Sequence, residues 1–398
     1  MSSYIVTAEK MVFGASCITS IGGKTVFIPY SLPNETLKIF ITKEHKNYSE
    51  AKIEKILNPS VHRVKPECPY FYDCGGCNMQ IANDAYQKEL RYEAALEALD
   101  RALNRGGGER LNIRSDFISG KSWEYRARFQ FHITENGPAQ KKYNSSSFVR
   151  IKDCPVALPA IRDFLRREVK NSEFFHGTVF KPGERIHLFS SDGKIFTGNG
   201  SEDCSVKLCG KILKFNPLGF FQSNLEMTEK LIDTVLVEVL GNVKTLDRIL
   251  DFYAGVGTFS VCAGDAAKEI HLVEHNKHAL NYAKENFNLK TLGENRRTKI
   301  FYHAIDGAAW AKTKASRLFF NLAFIDPPRS GIDSASLNWF CRSNIPLICY
   351  ISCDPVTFAR DAAKLIGSGY KLKKHFIFDF YPQTHHVETL GIFEKYKS

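Results

Sequence analysis

The amino-acid sequence predicts an α/β protein in which an open parallel sheet follows a small β-barrel and a strand-rich central domain. The chain has 398 residues, 43% of them hydrophobic, and single cores stop growing near about 250 to 300 residues, so more than one domain is expected. From about residue 225, short apolar runs alternate with helical patterns, which is typical of a parallel sheet covered on both faces. We place the domains at residues 1–62, 63–215 and 216–398.

The first two regions are predicted from strand and helix periodicity. Residues 1–62 alternate β-branched and aromatic residues with Gly and Pro-Asn turns, as in a small barrel. Residues 85–103 repeat Leu and Ala at i, i+3 and i+4, which predicts a helix that stops at the three glycines of residues 106–108. Beyond it, one strand would bury an aromatic face and expose a basic one, which suits RNA contact, although a plain solvated strand explains the pattern equally. The aromatic residues are Trp123, Tyr125, Phe129 and Phe131, and the basic ones are Arg126 and Arg128.

Charge and hydropathy restrict the partners. Lys and Arg number 54 against 43 Asp and Glu, a net charge of +11, which favours a polyanion such as RNA but does not establish one. The N-terminal segment lacks the apolar centre of a signal peptide, and no run of about 18 apolar residues exists to span a bilayer. We therefore expect a monomeric cytoplasmic protein without a membrane partner.

The parallel sheet is predicted to bring several acids to one edge. Its first strand leads into Gly255-Val-Gly257, where a backbone can approach a ligand closely, but Ser260 replaces the third glycine of a dinucleotide fingerprint. The next strands end at Glu274, Asp306 and Asp326. Such carboxylates suit the ribose and amino acid of S-adenosylmethionine; the alternative is that some are helix caps. The strands read RILDFYAG, EIHLVEH, KIFYHAID, LAFIDPP, LICYISC and HFIFDFY, with a final VETLGIFEK.

Four motifs together resemble the RNA 5-methyluridine methyltransferases: FFQSN at residues 220–224, DPPRSG at 326–331, SCDP at 352–355 and HVE at 386–388. The resemblance covers nearly the whole chain, because residues 1 to about 60 also resemble the TRAM domain, an RNA-binding barrel related to the OB-fold. It implies a Rossmann-like, S-adenosylmethionine-dependent catalytic domain. It also implies that the cofactor pocket is lined by Gln222, Tyr253, Thr258, Glu274, Asp306 and Asp326.

The chemistry of the reaction points to Cys353. Carbon 5 of uracil is too weak a nucleophile to accept a methyl group unaided, whereas a thiolate added to carbon 6 makes it an enolate carbon. The proton left on carbon 5 must then be removed, and the resemblance assigns that role to Glu388. Two residues depart from the family. Asp354 stands where Asn is common and would raise the pKa of the neighbouring thiol, and His385 stands where a smaller residue is usual. We expect His385 and His386 to orient or support the site rather than to catalyse.

A second group of cysteines predicts a metal site. Cys68, Cys74 and Cys77 have the spacing C-x5-C-x2-C, and Cys154 is a plausible fourth ligand. The spacing alone suits either zinc or an iron-sulfur cluster. The resemblance favours [4Fe-4S], since ribosomal-RNA members of the family carry such a cluster; zinc and four unliganded thiols are the alternatives. We expect a structural or RNA-docking role, because methyl transfer moves no electrons.

Other classes of function fit less well. A non-catalytic RNA-binding protein would not need Cys353 and Glu388, and a nicotinamide or iron-sulfur oxidoreductase would need the glycine that Ser260 replaces. An amino-group methyltransferase with an Asp-Pro-Pro-aromatic motif is disfavoured by Arg329. The barrel and cysteines favour 23S rRNA as the substrate, with tRNA as the alternative.

Overall fold

The computed structural model describes residues 3–104, 114–170, 181–197, 203–241, 246–264, 266–288 and 298–396. The predicted helix stop at residues 106–108 lies outside these ranges. The strands in these ranges form four sheets of six, five, two and eight strands. Among the helices in the described ranges, none is long and apolar enough to cross a membrane.

The N-terminal region is a six-stranded sheet in the order β1-β5-β6-β4-β3-β2, with β1 and β2 at its edges. All pairs are antiparallel except β4 with β6. Its core contains Cys17 and Ile28 and continues into Phe71, Met79 and Leu90, so this sheet shares its interior with the segment that follows. The strands are β1 (Ser3–Thr7), β2 (Lys10–Val12), β3 (Ser16–Ile21), β4 (Lys24–Pro29), β5 (Thr36–Glu44) and β6 (Tyr48–Asn58).

In the described ranges, the middle of the chain supplies two helices, a five-stranded sheet, a hairpin and a single strand that joins a further sheet. The predicted helix at residues 85–103 is observed as α1 (Asp84–Asn104). The sheet runs β10-β9-β8-β11-β12, and β13 pairs with β14. The elements are β7 (Ser115–Ile118), β8 (Arg128–Thr134), β9 (Gly137–Lys141), β10 (Phe148–Arg150), α2 (Pro159–Lys170), β11 (Arg185–Ser191), β12 (Lys194–Thr197), β13 (Cys204–Leu208) and β14 (Lys211–Phe215).

Tyr125, Phe129 and Phe131 of the predicted aromatic face are buried and Trp123 is half-buried, but the basic face is not freely exposed. Arg128 is half-buried and donates to the carbonyl of Gly219 at 2.9 Å. Arg126 lies over the ring of Phe129 and donates to the carbonyl of Arg128. Regular strand pairing begins at Arg128, so period-two alternation does not extend back to Trp123. The prediction of two solvent-facing arginines on one strand was therefore wrong.

The C-terminal half is an eight-stranded sheet in the order β17-β16-β15-β18-β19-β21-β20-β7. The strands from β15 to β19 are parallel and β21 is antiparallel to both its neighbours, as the alternating pattern predicted. The strands are β15 (Leu246–Phe252), β16 (Ala267–Val273), β17 (Lys299–His303), β18 (Leu322–Ile325), β19 (Leu347–Ser352), β20 (Tyr370–Phe378) and β21 (Glu388–Lys395). The helices are α3 (Leu225–Leu240), α4 (Thr258–Ala263), α5 (Lys277–Asn288), α6 (Gly307–Trp310), α7 (Ser334–Arg342) and α8 (Pro355–Gly367), with a 3-10 turn at Ala315–Arg317.

Two elements from the middle of the chain pack on this sheet. β7 pairs with β20 in parallel, and Leu99 of α1 belongs to the same buried cluster as Phe358 and Leu365 of α8. The eight-stranded sheet thus contacts a helix that lies directly after the cysteine segment. The domain boundaries at residues 62 and 215 remain a prediction.

Candidate active site

The carboxyl end of β19 and the first residue of β21 bring Cys353 and Glu388 together. The two strands are antiparallel, and Ser352 is paired with Thr389. The Thr389 hydroxyl also donates to the carbonyl of Ser352 at 3.1 Å. Cys353 follows one member of this pair and Glu388 precedes the other, so the two side chains occupy adjacent positions at the same edge of the sheet.

Asp326 completes this cluster from the next strand, β18. Burial, together with the charges of Glu388 and Asp326, raises the pKa of the Cys353 thiol to about 12, while Arg329 opposes them. Cys353 is partly exposed. These surroundings favour the thiol over the thiolate, which is the nucleophilic form of cysteine.

The two carboxylic acids also have raised pKa values. Glu388 is only 2% exposed, and its Oε2 has no hydrogen-bond partner within the part of the chain that the structure describes. Burial and the charge of Asp326 raise the pKa of Glu388 well above its usual value, against the effect of Arg329. Burial and Asp251 raise the pKa of Asp326 to about 7. Acids with raised pKa values are typical of groups that transfer protons near neutral pH.

Asp354, the departure beside the nucleophile, caps a helix. It is the N-cap of α8, and its carboxylate accepts from the backbone N–H groups of Val356 and Thr357, both at 2.9 Å. Asn and Asp are about equally good caps, so the substitution preserves the helix start. Its charge raises the pKa of Cys353 as the sequence predicted, but less than burial, Glu388 and Asp326 do.

The Gly-x-Gly turn lies between β15 and α4. Gly255 and Gly257 have φ values of 55° and 80°, and a Cβ at Gly255 would project into open space. The buried Glu274 accepts from the N–H of Gly255 at 3.0 Å and from the N–H of Asn276 at 2.7 Å. This carboxylate therefore lies beside a turn where the backbone leaves room for a ligand.

Ser260, which replaces the third glycine, has a structural role. Its N–H and hydroxyl both donate to the Asp251 carboxylate, which ties α4 to β15. Burial raises the pKa of Asp251 to about 6. Where the dinucleotide fingerprint has its third glycine, this chain thus has a serine that forms buried hydrogen bonds between α4 and β15.

The remaining predicted pocket residues differ in their local roles. Thr258 is the first residue of α4, and the Tyr253 hydroxyl donates to Asp333 at 3.0 Å. Asp306 is exposed and caps α6, accepting from the N–H of Ala309 at 2.7 Å, so the helix-cap alternative applies at this position. Gln222 precedes α3, and its Oε1 is buried without a partner in the described ranges. An orphaned acceptor of this kind is expected where a ligand donates a hydrogen bond.

The four cysteines predicted as metal ligands line one cavity of about 50 Å³. They are Cys68, Cys74, Cys77 and Cys154. Burial raises the pKa of all four thiols, and Arg126, which also lines the cavity, lowers three of them. Within the described ranges, no group of three or more His, Cys, Asp or Glu side chains is arranged to hold a metal ion.

Sequence reasoning missed the residues that hold the loop before Glu388. Arg91 of α1 forms a buried ion pair with Asp379 at 2.8 Å and donates to the carbonyl of Thr384. The N–H groups of Asn78 and Met79 donate to the carbonyl of Gln383 at 3.1 and 3.0 Å. Nearly 300 residues separate these partners along the chain, so no local pattern could reveal them. The electrostatic role of Arg329 was also missed. It lies in the DPPRSG motif, and its positive charge was the signal that could have revealed this role.

Comparison with known proteins identifies the family. The profile of the tRNA (Uracil-5-)-methyltransferase family matches residues 199–396. An RNA methyltransferase of Treponema denticola is 58% identical over 99% of this chain and 100% of its own length. The 23S rRNA (uracil(1939)-C(5))-methyltransferase RlmD of Shewanella baltica is 27% identical over 94% of this chain and 91% of its own.

A solved structure matches nearly the whole chain. It is the Pyrococcus abyssi tRNA (uracil-54, C5)-methyltransferase in complex with S-adenosyl-L-homocysteine, with a TM-score of 0.75, 20% identity and coverage of 98% of this chain and 100% of that one. The likeness shows a shared mixed α/β fold with a strand-rich N-terminal region.

The fold, the site and these relatives define the class of the protein as an RNA methyltransferase. Within that class, the chain belongs to the RNA 5-methyluridine methyltransferase family and is an RNA (uracil-5-)-methyltransferase.

Proposed function

We propose that the protein methylates carbon 5 of a uridine in RNA through a covalent bond between Cys353 and carbon 6. The observation that carries this proposal is the position of Cys353 and Glu388 at facing ends of two paired strands, beside Asp326. In this scheme the Cys353 thiol gives its proton to a base as its sulfur adds to carbon 6, and carbon 5 takes the methyl group from a sulfonium donor, which leaves as a neutral thioether. Glu388, as a carboxylate, then takes the carbon 5 proton. Departure of the sulfur then restores the ring double bond.

The methyl donor would be S-adenosylmethionine, whose sulfonium supplies an electrophilic methyl group. The residues of the Rossmann-like edge fit this group: Glu274 lies beside the open Gly255 turn, and Gln222 offers a buried acceptor without a partner in the described ranges. Tyr253, Thr258 and Asp326 would complete the pocket. Asp306 would contribute less directly, because its carboxylate already caps α6.

The nucleophile is tested by replacing the thiol. We expect Cys353→Ala to bind RNA and S-adenosylmethionine but to give no 5-methyluridine, because the ring is then not activated. Cys341→Ala is a suitable control, since Cys341 is also partly exposed but lies at the end of α7, away from the strand tips. Methylation by the Cys353→Ala protein would contradict the mechanism.

For the substrate we propose 23S rRNA, with tRNA as the alternative. The relative of Shewanella baltica, which covers most of the chain, is named for 23S rRNA, whereas the family profile and the solved structure are named for tRNA. The N-terminal sheet, proposed as a TRAM-like RNA-binding barrel, would contact the RNA. Mapping 5-methyluridine in both RNAs from cells with and without the gene decides between them.

We also propose that Cys68, Cys74, Cys77 and Cys154 hold a [4Fe-4S] cluster. The supporting observation is a donor set of four thiols around one cavity whose wall also includes Phe71, Phe129 and Phe131. Four thiolates suit a zinc ion as well as a cluster, and the choice of the cluster rests on the resemblance to the ribosomal-RNA members of the family. The cluster would fix the segment that contacts the Gln383 carbonyl.

The metal is tested on protein purified without oxygen. We expect iron, inorganic sulfide and a broad visible absorbance in the intact protein, all lost in Cys154→Ala. Zinc in stoichiometric amount without iron would contradict the cluster but not the methylation mechanism.

A further inference from the structure

His385, one of the two residues that depart from the family pattern, makes two hydrogen bonds with one side chain. The His385 N–H donates to Oδ1 of Asn78 at 3.0 Å. The same amide approaches the ring through its nitrogen, with Asn78 Nδ2 at 2.8 Å from His385 Nδ1. Asn78 follows Cys77 directly in the sequence.

These two contacts fix the tautomer of the imidazole. A backbone N–H can only donate, so the atom that faces it must be the amide oxygen, and the orientation of the Asn78 amide follows. The amide nitrogen, which can only donate, is then left facing Nδ1. Nδ1 must accept, and neutral His385 therefore carries its proton on Nε2.

The ring is held in place by its neighbours. Phe13, from the turn between β2 and β3, packs edge-on against it at 5.1 Å between ring centroids, and His386 lies at 3.9 Å. Burial, together with a smaller effect of Arg329 and against the opposing effect of Asp354, lowers the pKa of His385 to about 4. Within the described ranges no contact to Nε2 is observed, and the residue is partly exposed.

His385 lies at the rim of the nucleophile site. Arg329 and Asp354, the two charged groups that act on its ring, also act on the Cys353 thiol. The side chain thus sits between the N-terminal sheet, represented by Phe13, and the strand tips that carry the reaction. An RNA that reaches Cys353 across the N-terminal sheet passes this position.

We propose that His385 presents a neutral Nε2–H to an acceptor oxygen of the RNA substrate and that Asn78 is the positioning residue that sets this tautomer. A fixed donor without a protein partner discriminates in favour of a nucleotide that offers a base carbonyl or phosphate oxygen. This inference rests on the proposed function, because it takes RNA to be the ligand of the site.

The tautomer is tested without substrate, by NMR on protein labelled with ¹⁵N-histidine. We expect the spectrum to contain the signals of one ring in which Nε2 is protonated and Nδ1 is not. These signals should disappear in His385→Gln. Asn78→Asp replaces the amide donor by a second acceptor, so the signal should move to a form with protonated Nδ1. A protonated Nδ1 in the unaltered protein would overturn the assignment, whatever the outcome for methylation.

The contact to RNA is tested with an unmodified 23S rRNA transcript. We expect His385→Leu to raise KM and Kd for the transcript roughly fivefold to tenfold, with a smaller effect on kcat, because one hydrogen bond to a neutral donor is worth about 1 kcal/mol. His385→Gln keeps a donor and should recover most of the loss. His278→Leu, which removes an exposed histidine on α5, is the matched control. Unchanged affinity in His385→Leu would overturn the proposal.

Randomising the nucleotides beside the methylated uridine separates the two acceptors. A base carbonyl predicts that His385→Leu relaxes the sequence preference at one position, whereas a phosphate predicts equal weakening for all sequences. If the unaltered enzyme methylates no uridine in any transcript, the proposed function fails, while the tautomer measurement still stands.

Discussion

Cys353, Glu388 and Asp326 form a cluster of acids at one strand edge, and Arg329 is the cation that acts against them. Because like charges oppose one another's ionisation, the three groups titrate as a set rather than singly. The thiolate form of Cys353 is therefore disfavoured in this environment.

Replacing Glu388 by Gln should interrupt the reaction after methyl transfer. The amide cannot take the carbon 5 proton, so the sulfur cannot leave, and a covalent protein-RNA adduct should accumulate. It would appear as a species resistant to denaturing electrophoresis that carries label from the methyl donor. The double variant with Cys353→Ala should form no adduct. Multiple turnover by Glu388→Gln at an undiminished rate would assign the proton removal to another group.

Asp326 should make stability depend on pH. Its pKa is raised from 3.8 to about 7 in the folded protein, so the fold disfavours the ionised form, and the free energy of unfolding falls as pH rises from about 4 to 7. Asp326→Asn removes this effect. Relative to the unaltered protein, its free energy of unfolding should increase by on the order of 1 to 2 kcal/mol between pH 5 and pH 8, after allowance for partial exposure. Urea denaturation at the two pH values measures it, and an equal difference at both would contradict the raised pKa.

At the scale of elements, the segment from β20 to β21 is held by residues far away in the sequence. Tyr125 donates to the carbonyl of Pro382 at 2.8 Å, Gln87 donates to Gln383 at 3.0 Å, and Arg91 is paired with Asp379. The loop that leads to Glu388 is thus fastened by α1 and by the segment after the cysteines. This arrangement explains how a cysteine site could affect methylation without transferring electrons.

Removing the cation of the buried Arg91–Asp379 pair should destabilise the protein strongly. Arg91 and Asp379 have side chains that are 1% and 0% exposed, so Arg91→Met leaves an uncompensated buried carboxylate at a cost of about 3 to 5 kcal/mol. Adding Asp379→Asn removes that charge and should recover part of the loss. Chemical denaturation of the three proteins tests this. A double variant no more stable than Arg91→Met would mean that the charge is not the cause.

Across the whole molecule, the periodic and local features were predictable and the long-range contacts were not. The strands that carry Asp326 and Cys353 are apolar runs bounded by turns, so their order along the chain followed from pattern. Helix α1 was equally visible from its spacing. Its packing on α8 depends on two segments more than 250 residues apart, which no local pattern encodes.

The candidate site also contains both predictable and unpredictable features. The acids at the strand tips follow from parallel topology, which collects strand ends at one edge. The local role of each acid depends on the turn after its strand. Asp306, for example, caps a helix. The contact of Asn78 with His385 required the fold, because it joins a loop after Cys77 to a loop before β21.

The net charge of +11 leads to a prediction for RNA binding by the N-terminal sheet. Lys52 and Lys55 of β6 are exposed and form no ion pair within the described part of the chain. If they contact phosphates, reversing both charges should weaken binding of the 23S rRNA transcript and reduce the slope of log Kd against log salt by about 2, since each phosphate contact contributes roughly 0.9. Lys364 lies on α8 and Lys371 on β20, both in the C-terminal half of the chain. Reversing these two charges should leave the slope almost unchanged. Equal effects of the two pairs would mean that binding responds to net charge alone and that β6 has no specific place in the interface.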